Sequence, residues 1–170
     1  STQGFGGVPF GPVDVDGTDW AIIGSFRPAL TLNGRRNNAV VIFNGLNISA
    51  LSTDWTTDVP ITLAVGIDHP LYGGLVGEVW ENTNPIPGMG SSMEVDRTAT
   101  SWAGLFPPLV MYHLKGIQNI TMEGANYVSG LKIGLGADNV QFGIVMLAKC
   151  MNPTGTAKVN MVVNWTEIRD

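Results

Sequence analysis

The most regular alternation in the chain falls close to its end. Val159, Met161, Val163 and Trp165 are apolar at odd positions, while Lys158, Asn160, Asn164 and Thr166 fill most of the even ones. A period of two sends successive side chains to opposite faces, so the segment predicts a strand with one buried and one partly wet face. Val162 is the exception, an apolar residue on the wet side. The preceding run, Phe142-Gly143-Ile144-Val145-Met146-Leu147-Ala148, is apolar at nearly every position. That predicts a strand with the core on one face and a covering element or neighbouring subunit on the other. Asn152-Pro153-Thr154-Gly155 has the residues of a tight turn and joins the two strands into a hairpin.

Short runs of β-branched and aromatic residues predict strands over Trp20–Phe26, Ala39–Ile48, Ile61–Ile67, Leu75–Trp80, Leu109–Ile117, Tyr127–Leu135, Val140–Cys150 and Ala157–Ile168. Turn residues stand between them at Asn33-Gly34, Tyr72-Gly73-Gly74, Asn84-Pro85-Ile86-Pro87-Gly88, Gly124-Ala125-Asn126 and Ala137-Asp138-Asn139. The opening stretch, Ser1 to Gly17, holds Gly4, Gly6, Gly7, Pro9, Gly11 and Pro12, and is expected to form an extended N-terminal arm outside the core. Glu81 to Pro108 lacks a continuous strand pattern and is expected to be a functional or interface loop, with a short helical turn near Ser101 to Phe106. Asp19 to Arg27 could be forced into a helical period, but Gly24 and the following Pro28 favour a strand. With no internal repeat or linker, residues 1–170 read as one all-β domain, and eight short strands close economically into an antiparallel sandwich or barrel.

Composition narrows the function. The 170 residues are 44% hydrophobic and only 14% charged, well under the roughly 25% charged residues of an average domain. So neutral a surface fits either burial against partners or an Asn/Thr/Ser coat. The net charge is −5 and the nine Lys and Arg are scattered, with only Arg35 and Arg36 adjacent. Neutralising a nucleic-acid backbone takes clustered cations, so little direct nucleic-acid contact is expected. No apolar run approaches a membrane span, and the first residues lack the basic and apolar regions of a secretory signal. Cys150 is the single cysteine, which excludes an intramolecular disulfide framework.

Candidate chemistry is sparse, and no enzyme is expected. His69 and His113 are far apart, and no Gly-x-Ser-x-Gly spacing supports a nucleophile such as Ser25, Ser49 or Cys150. One cysteine and two distant histidines cannot close a zinc site. In Asp14-Val15-Asp16-Gly17-Thr18-Asp19, carboxylates recur around a glycine, so Asp14, Asp16 and Asp19 are candidate calcium ligands; a backbone-bonded Asx turn is the competing reading. Glu78 and Glu81, with Glu94 and Asp96 beyond them, stand near Trp80. Alternation, however, sends Glu78 and Glu81 to opposite strand faces, and a hydrolytic carboxylate pair is the weaker reading. Of the five tryptophans, Trp20 and Trp165 fit the core. Trp55 and Trp102 fall between strands and are the candidates for intersubunit or ligand contact. Asn-x-Ser/Thr sequons occur at Asn47, Asn119 and Asn164, no more than expected by chance in so Asn/Thr-rich a chain.

The C-terminal hairpin, Phe142 through the Asn152-Pro153 turn to Trp165, resembles the closing strands of jelly-roll coat proteins from small icosahedral positive-strand RNA viruses, most of all the picorna-like group. The resemblance implies an eight-stranded antiparallel jelly-roll β-sandwich and a structural capsid subunit that self-assembles with copies of itself and related coat subunits. It would be located in the virion, and in the host cytoplasm during assembly. Ser1 to Asp19 contains no Lys or Arg, unlike the basic arm of many single-jelly-roll coat proteins, which implies a matured picorna-like subunit or an excised outer domain. The alternative is a carbohydrate- or receptor-binding sandwich, lectin-like or a protruding viral domain, using Trp102 and perhaps calcium at Asp14, Asp16 and Asp19 to hold a host receptor or glycan.

Overall fold

In the computed structural model, the residues described are 2–69, 74–83, 91–104, 110–121 and 132–169. Among them the chain forms fifteen strands and one 3-10 turn, with no α-helix. In chain order the strands are β1 (Thr2–Asp16), β2 (Ala21–Pro28), β3 (Thr31–Leu32), β4 (Arg35–Arg36), β5 (Val40–Leu51), β6 (Ile61–Asp68), β7 (Leu75–Val76) and β8 (Trp80–Asn82), followed by β9 (Met93–Asp96), β10 (Ser101–Trp102), β11 (Val110–Leu114), β12 (Gly116–Thr121), β13 (Lys132–Gly134), β14 (Gly143–Cys150) and β15 (Thr156–Arg169).

Two antiparallel sheets carry the molecule and form a sandwich-like arrangement. One runs β1-β15-β5-β12, with β13 also paired to β5; the other runs β11-β6-β14-β2-β9-β8. Their inner faces meet in one apolar core. From β15 it takes Ala157, Val159, Met161, Val163 and Trp165, the odd positions of the predicted alternation, and from β14 it takes Ile144, Met146, Ala148 and Cys150. The outer face of β14 is covered as well: Val145 and Leu147 join Leu75 in a second buried cluster, packed by Trp20, Ile22, Trp80, Ala99 and Trp102. The covering element is the ribbon of β7 paired with β10. This explains why the β14 run is apolar on both faces.

The N-terminal stretch departs from the expected arm. Thr2–Asp16 is extended, but it lies at the edge of a sheet and pairs with β15 along its length, from Thr2 opposite Arg169 to Asp16 opposite Thr156. Val8, Phe10 and Val15 belong to the core. Its glycines are places where neighbouring groups come close. A Cβ on Gly6 would stand 2.3 Å from the Trp165 indole, and one on Gly24 of β2 would stand 2.0 Å from the Phe10 ring.

Other boundaries shift for local reasons. The predicted strand Leu75–Trp80 divides into β7 and β8 around Gly77, whose φ of 76° reverses the chain. Leu109–Ile117 becomes β11 and β12 in different sheets, with Gly116, also at φ 76°, at the crossing. Ser101 and Trp102 form β10 instead of a helical turn. Asn33-Gly34, both at positive φ, makes the expected tight turn between β3 and β4. Of Tyr127–Leu135, Lys132–Gly134 is β13 and 127–131 lie outside the described residues, as do the turns expected at 84–88 and 124–126 and residues 72 and 73 of a third.

Candidate functional site

The outer face of the five-stranded sheet is an uncommitted surface among the described residues. Register aligns its outward residues in rows across the strands. Pro9 stands opposite Val162, Val162 opposite Asn47, and Asn47 opposite Asn119. In the neighbouring row Asn160 faces Ser49, and Ser49 faces Ile117. Both rows are uncharged. They border a shallow depression of about 380 Å³ floored largely by apolar atoms. Ile117 is 78% exposed beside it, and Phe5, farther along β1, is 80% exposed. Val162, the residue that breaks the alternation of β15, stands on this open face. Charge stands toward the ends of the sheet, where Lys158 pairs with Asp14 at 2.7 Å at one and Lys132 of β13 is exposed at the other. An uncharged, mildly polar surface loses little on desolvation and suits contact with another protein.

The calcium candidates do not converge. Asp14 is taken by Lys158, while Oδ1 of Asp16 accepts from the backbone N–H of Thr18 (2.9 Å) and of Asp19 (3.0 Å) and from the Thr18 hydroxyl (2.9 Å). The backbone bonds from Asp19 and Thr18, with the Thr18 hydroxyl, hold the Asp16 carboxyl below its ordinary range. This is the Asx turn, with Asp16 Oδ1 used to close the chain. Among the described residues no group of three or more His, Cys, Asp or Glu side chains is placed to hold a metal ion.

The two tryptophan candidates separate. Trp55 is 47% exposed, in a turn where the Ser52 and Thr56 hydroxyls both donate to Asp54 Oδ1 at 2.6 Å. That turn holds it toward solvent at φ 65°. Trp102 is instead part of the β7–β10 cover: it packs in the second apolar cluster, and its indole N–H donates to Asp68 Oδ1 at 2.9 Å. Burial pushes the Asp68 carboxyl above its ordinary range, with the Glu78 charge adding to the rise, and the Trp102 bond offsets only part of it. The nearby Arg27 guanidinium lies over the Trp80 ring at 4.1 Å and pairs with Glu94 at 3.5 Å. Glu78 and Glu81 are exposed, and Glu81 lies 3.9 Å from Arg97. Asp96 is buried and accepts from Val79, Thr98 and Ala99, which fixes the turn around it. Of Glu81–Pro108, the described parts belong to β8, β9, β10 and their joining turns; 84–90 and 105–109 lie outside the described residues.

His113 Nδ1 lies 3.0 Å from the Thr62 hydroxyl. Burial raises the Cys150 thiol, which donates to the Val15 carbonyl. A buried thiol held in its neutral form is a poor nucleophile. The outer sheet face was not among the residues singled out in the sequence; its signals were Val162 and the absence of charge in β5 and β12.

At the other end of β15, Glu167 is buried beneath Arg169. Burial raises its carboxyl, yet bonds from the Trp165 indole and Arg169, with the Arg169 charge, outweigh that and hold it below the ordinary range. A depressed carboxyl stabilises the fold above its unfolded pKa and loses that contribution as pH falls through the folded value. Melting temperatures taken downward from neutral pH should therefore show Glu167→Gln below wild type at first. The gap should close on acidification below about pH 4.3, the unfolded glutamate value. A constant gap would contradict the assignment.

No protein-family profile matches the chain, and no curated protein matches it. Among the described residues no helix is long and apolar enough to cross a membrane.

Proposed function

We propose that the chain is a non-enzymatic structural subunit that assembles with copies of itself and related coat subunits into an icosahedral shell, and that its sandwich is an eight-stranded jelly roll. Support for the jelly roll comes from nested pairing: β1 with β15, β2 with β14, β5 with β12, and β6 with β11. That is the order of one long antiparallel hairpin rolled into two sheets. Jelly rolls serve in viral capsids, lectins and cupins, so the fold by itself selects no function.

The observation that carries the assembly reading is the uncharged outer face of the β1-β15-β5-β12 sheet. Its exposed apolar residues lie among asparagines whose desolvation costs less than that of charges. Trp55, held outward by its turn, is a second contact candidate. The resemblance of the C-terminal hairpin to picorna-like coat proteins supplies the class of shell, and with it the virion and host-cytoplasm location. A glycan-binding sandwich draws less support, because Trp102 is committed to Asp68 and the ribbon cover.

Electron microscopy and sedimentation velocity of the protein at high concentration test the reading. Closed particles or discrete intermediates are expected; a monomer throughout would overturn it. Ile117→Lys with Val162→Lys should abolish particles. Unfolding stability should stay within about 0.5 kcal/mol per exposed site.

A further inference from the structure

We propose that the cleft between the β3–β4 hairpin and the C-terminal end of β15 binds a ligand carrying two or more phosphate or sulfate groups. The cleft measures about 720 Å³ and is bordered by Arg35, Arg36, Arg169, Asn33 and Asn38. Three of the nine basic residues of a chain with net charge −5 therefore stand at one opening.

Their partners decide how much of that charge remains. Arg36 is fixed by Asn139 Oδ1 at 3.0 Å, Asn38 Oδ1 at 2.6 Å and the Gly136 carbonyl at 3.1 Å. These acceptors and the Leu135 carbonyl at 3.5 Å are all neutral, so the guanidinium is oriented without being neutralised. Arg35 is exposed and makes no ion pair among the described residues. Arg169 gives both of its bonds to the buried Glu167 and is compensated. Two positive charges thus remain, one of them already immobilised, which lowers the ordering cost of gripping an anion.

Adjacent residues of a strand point to opposite sides, so Arg35 and Arg36 cannot both grip one tetrahedral group. A ligand with two such groups can span them, and the polar border offers Asn33 and Asn38 to its remaining oxygens. Guanidinium forks match phosphate and sulfate oxygens in the same way, so the geometry defines the shared chemistry.

Calorimetric titration of the full chain at fixed ionic strength, with tripolyphosphate in one arm and a sulfated heparin disaccharide in the other, tests the assignment. Binding in either arm roughly tenfold tighter than inorganic phosphate is expected, and the arm that binds names the source. Arg35→Gln should weaken binding about tenfold, the loss of one charge-assisted contact. Arg36→Lys should weaken it too, since an ammonium cannot reproduce the planar guanidinium's bonds to these acceptors. Lys115→Gln, between β11 and β12, should leave it unchanged. Because the Arg35 side chain makes no hydrogen bond or ion pair among the described residues, its variant keeps the test sound if Arg36 variants unfold. No binding in either arm, or equal weakening by Lys115→Gln, would overturn the proposal.

Discussion

Trp165→Ala is expected to remove about 3–5 kcal/mol of folding stability, the usual cost of truncating a large buried aromatic. Trp165 stacks on Phe26 at 6.5 Å between ring centroids, and Phe26 meets Phe43 at 5.5 Å, so one aromatic group joins β15, β2 and β5 across the sandwich. The indole also lies against Gly6 of β1 and donates to buried Glu167 at 2.9 Å. Truncation would leave a cavity between the sheets and remove a donor from a desolvated carboxylate. Against a total stability of about 5–15 kcal/mol, that approaches unfolding. Urea denaturation should show the midpoint falling with little change in slope. Trp165→Phe separates the two effects: it keeps most of the volume, and its smaller loss, about 1–3 kcal/mol, reports the carboxylate oxygen that loses its indole donor while Arg169 still holds the other. Equal losses for the two variants would place the whole effect in the hydrogen bond and contradict the packing account.

The second large effect is expected where β1 crosses β2. Gly24→Ala would drive a methyl group into the Phe10 ring, which is buried and cannot swing aside, and should cost about 1–3 kcal/mol or more. Phe10→Ala should cost about 3–5 kcal/mol by itself. Combined, the two should cost less than their sum, because the smaller side chain makes room for the new methyl. The coupling should fall within about 0.5–3 kcal/mol, as for residues in direct contact. An N-terminal stretch that was a detached arm would give small, additive effects, so additivity measured by denaturant titration would refute the placement of β1.

The C-terminal hairpin was legible because each of its strands carries its own instructions: β15 alternates, β14 is apolar from Gly143 to Ala148, and Asn152 to Gly155 turns between them. β1 was not. Its glycines and prolines read as punctuation, yet Gly6 is small to admit Trp165, a residue remote in sequence. Its inward positions also change phase, from Val8 and Phe10 to Val13 and Val15, across the register shift near Gly11. No single period describes it. The contact that occupies Asp14 was hidden for a related reason: carboxylates at alternate positions imply convergence only if nothing else claims them, and Lys158 reaches Asp14 through long-range pairing. Trp102 looked external because the strand that buries it, Leu75–Val76, is two residues long. The neutral outer face was legible as composition, but which residues share it depends on register between distant strands. The positive φ at Gly77 and Gly116 that broke two predicted strands had no signal beyond the glycines themselves.

The pairing of Thr2 with Arg169 sets the order of events in synthesis. Within residues 1–170, β1 is made before the other strands and its sheet partner among the described residues, β15, after them, so this pairing can form only once β15 has emerged. So high a contact order predicts folding on the millisecond-to-second scale of all-β domains. It also makes the nascent chain, more than the finished one, the form that needs protection from aggregation.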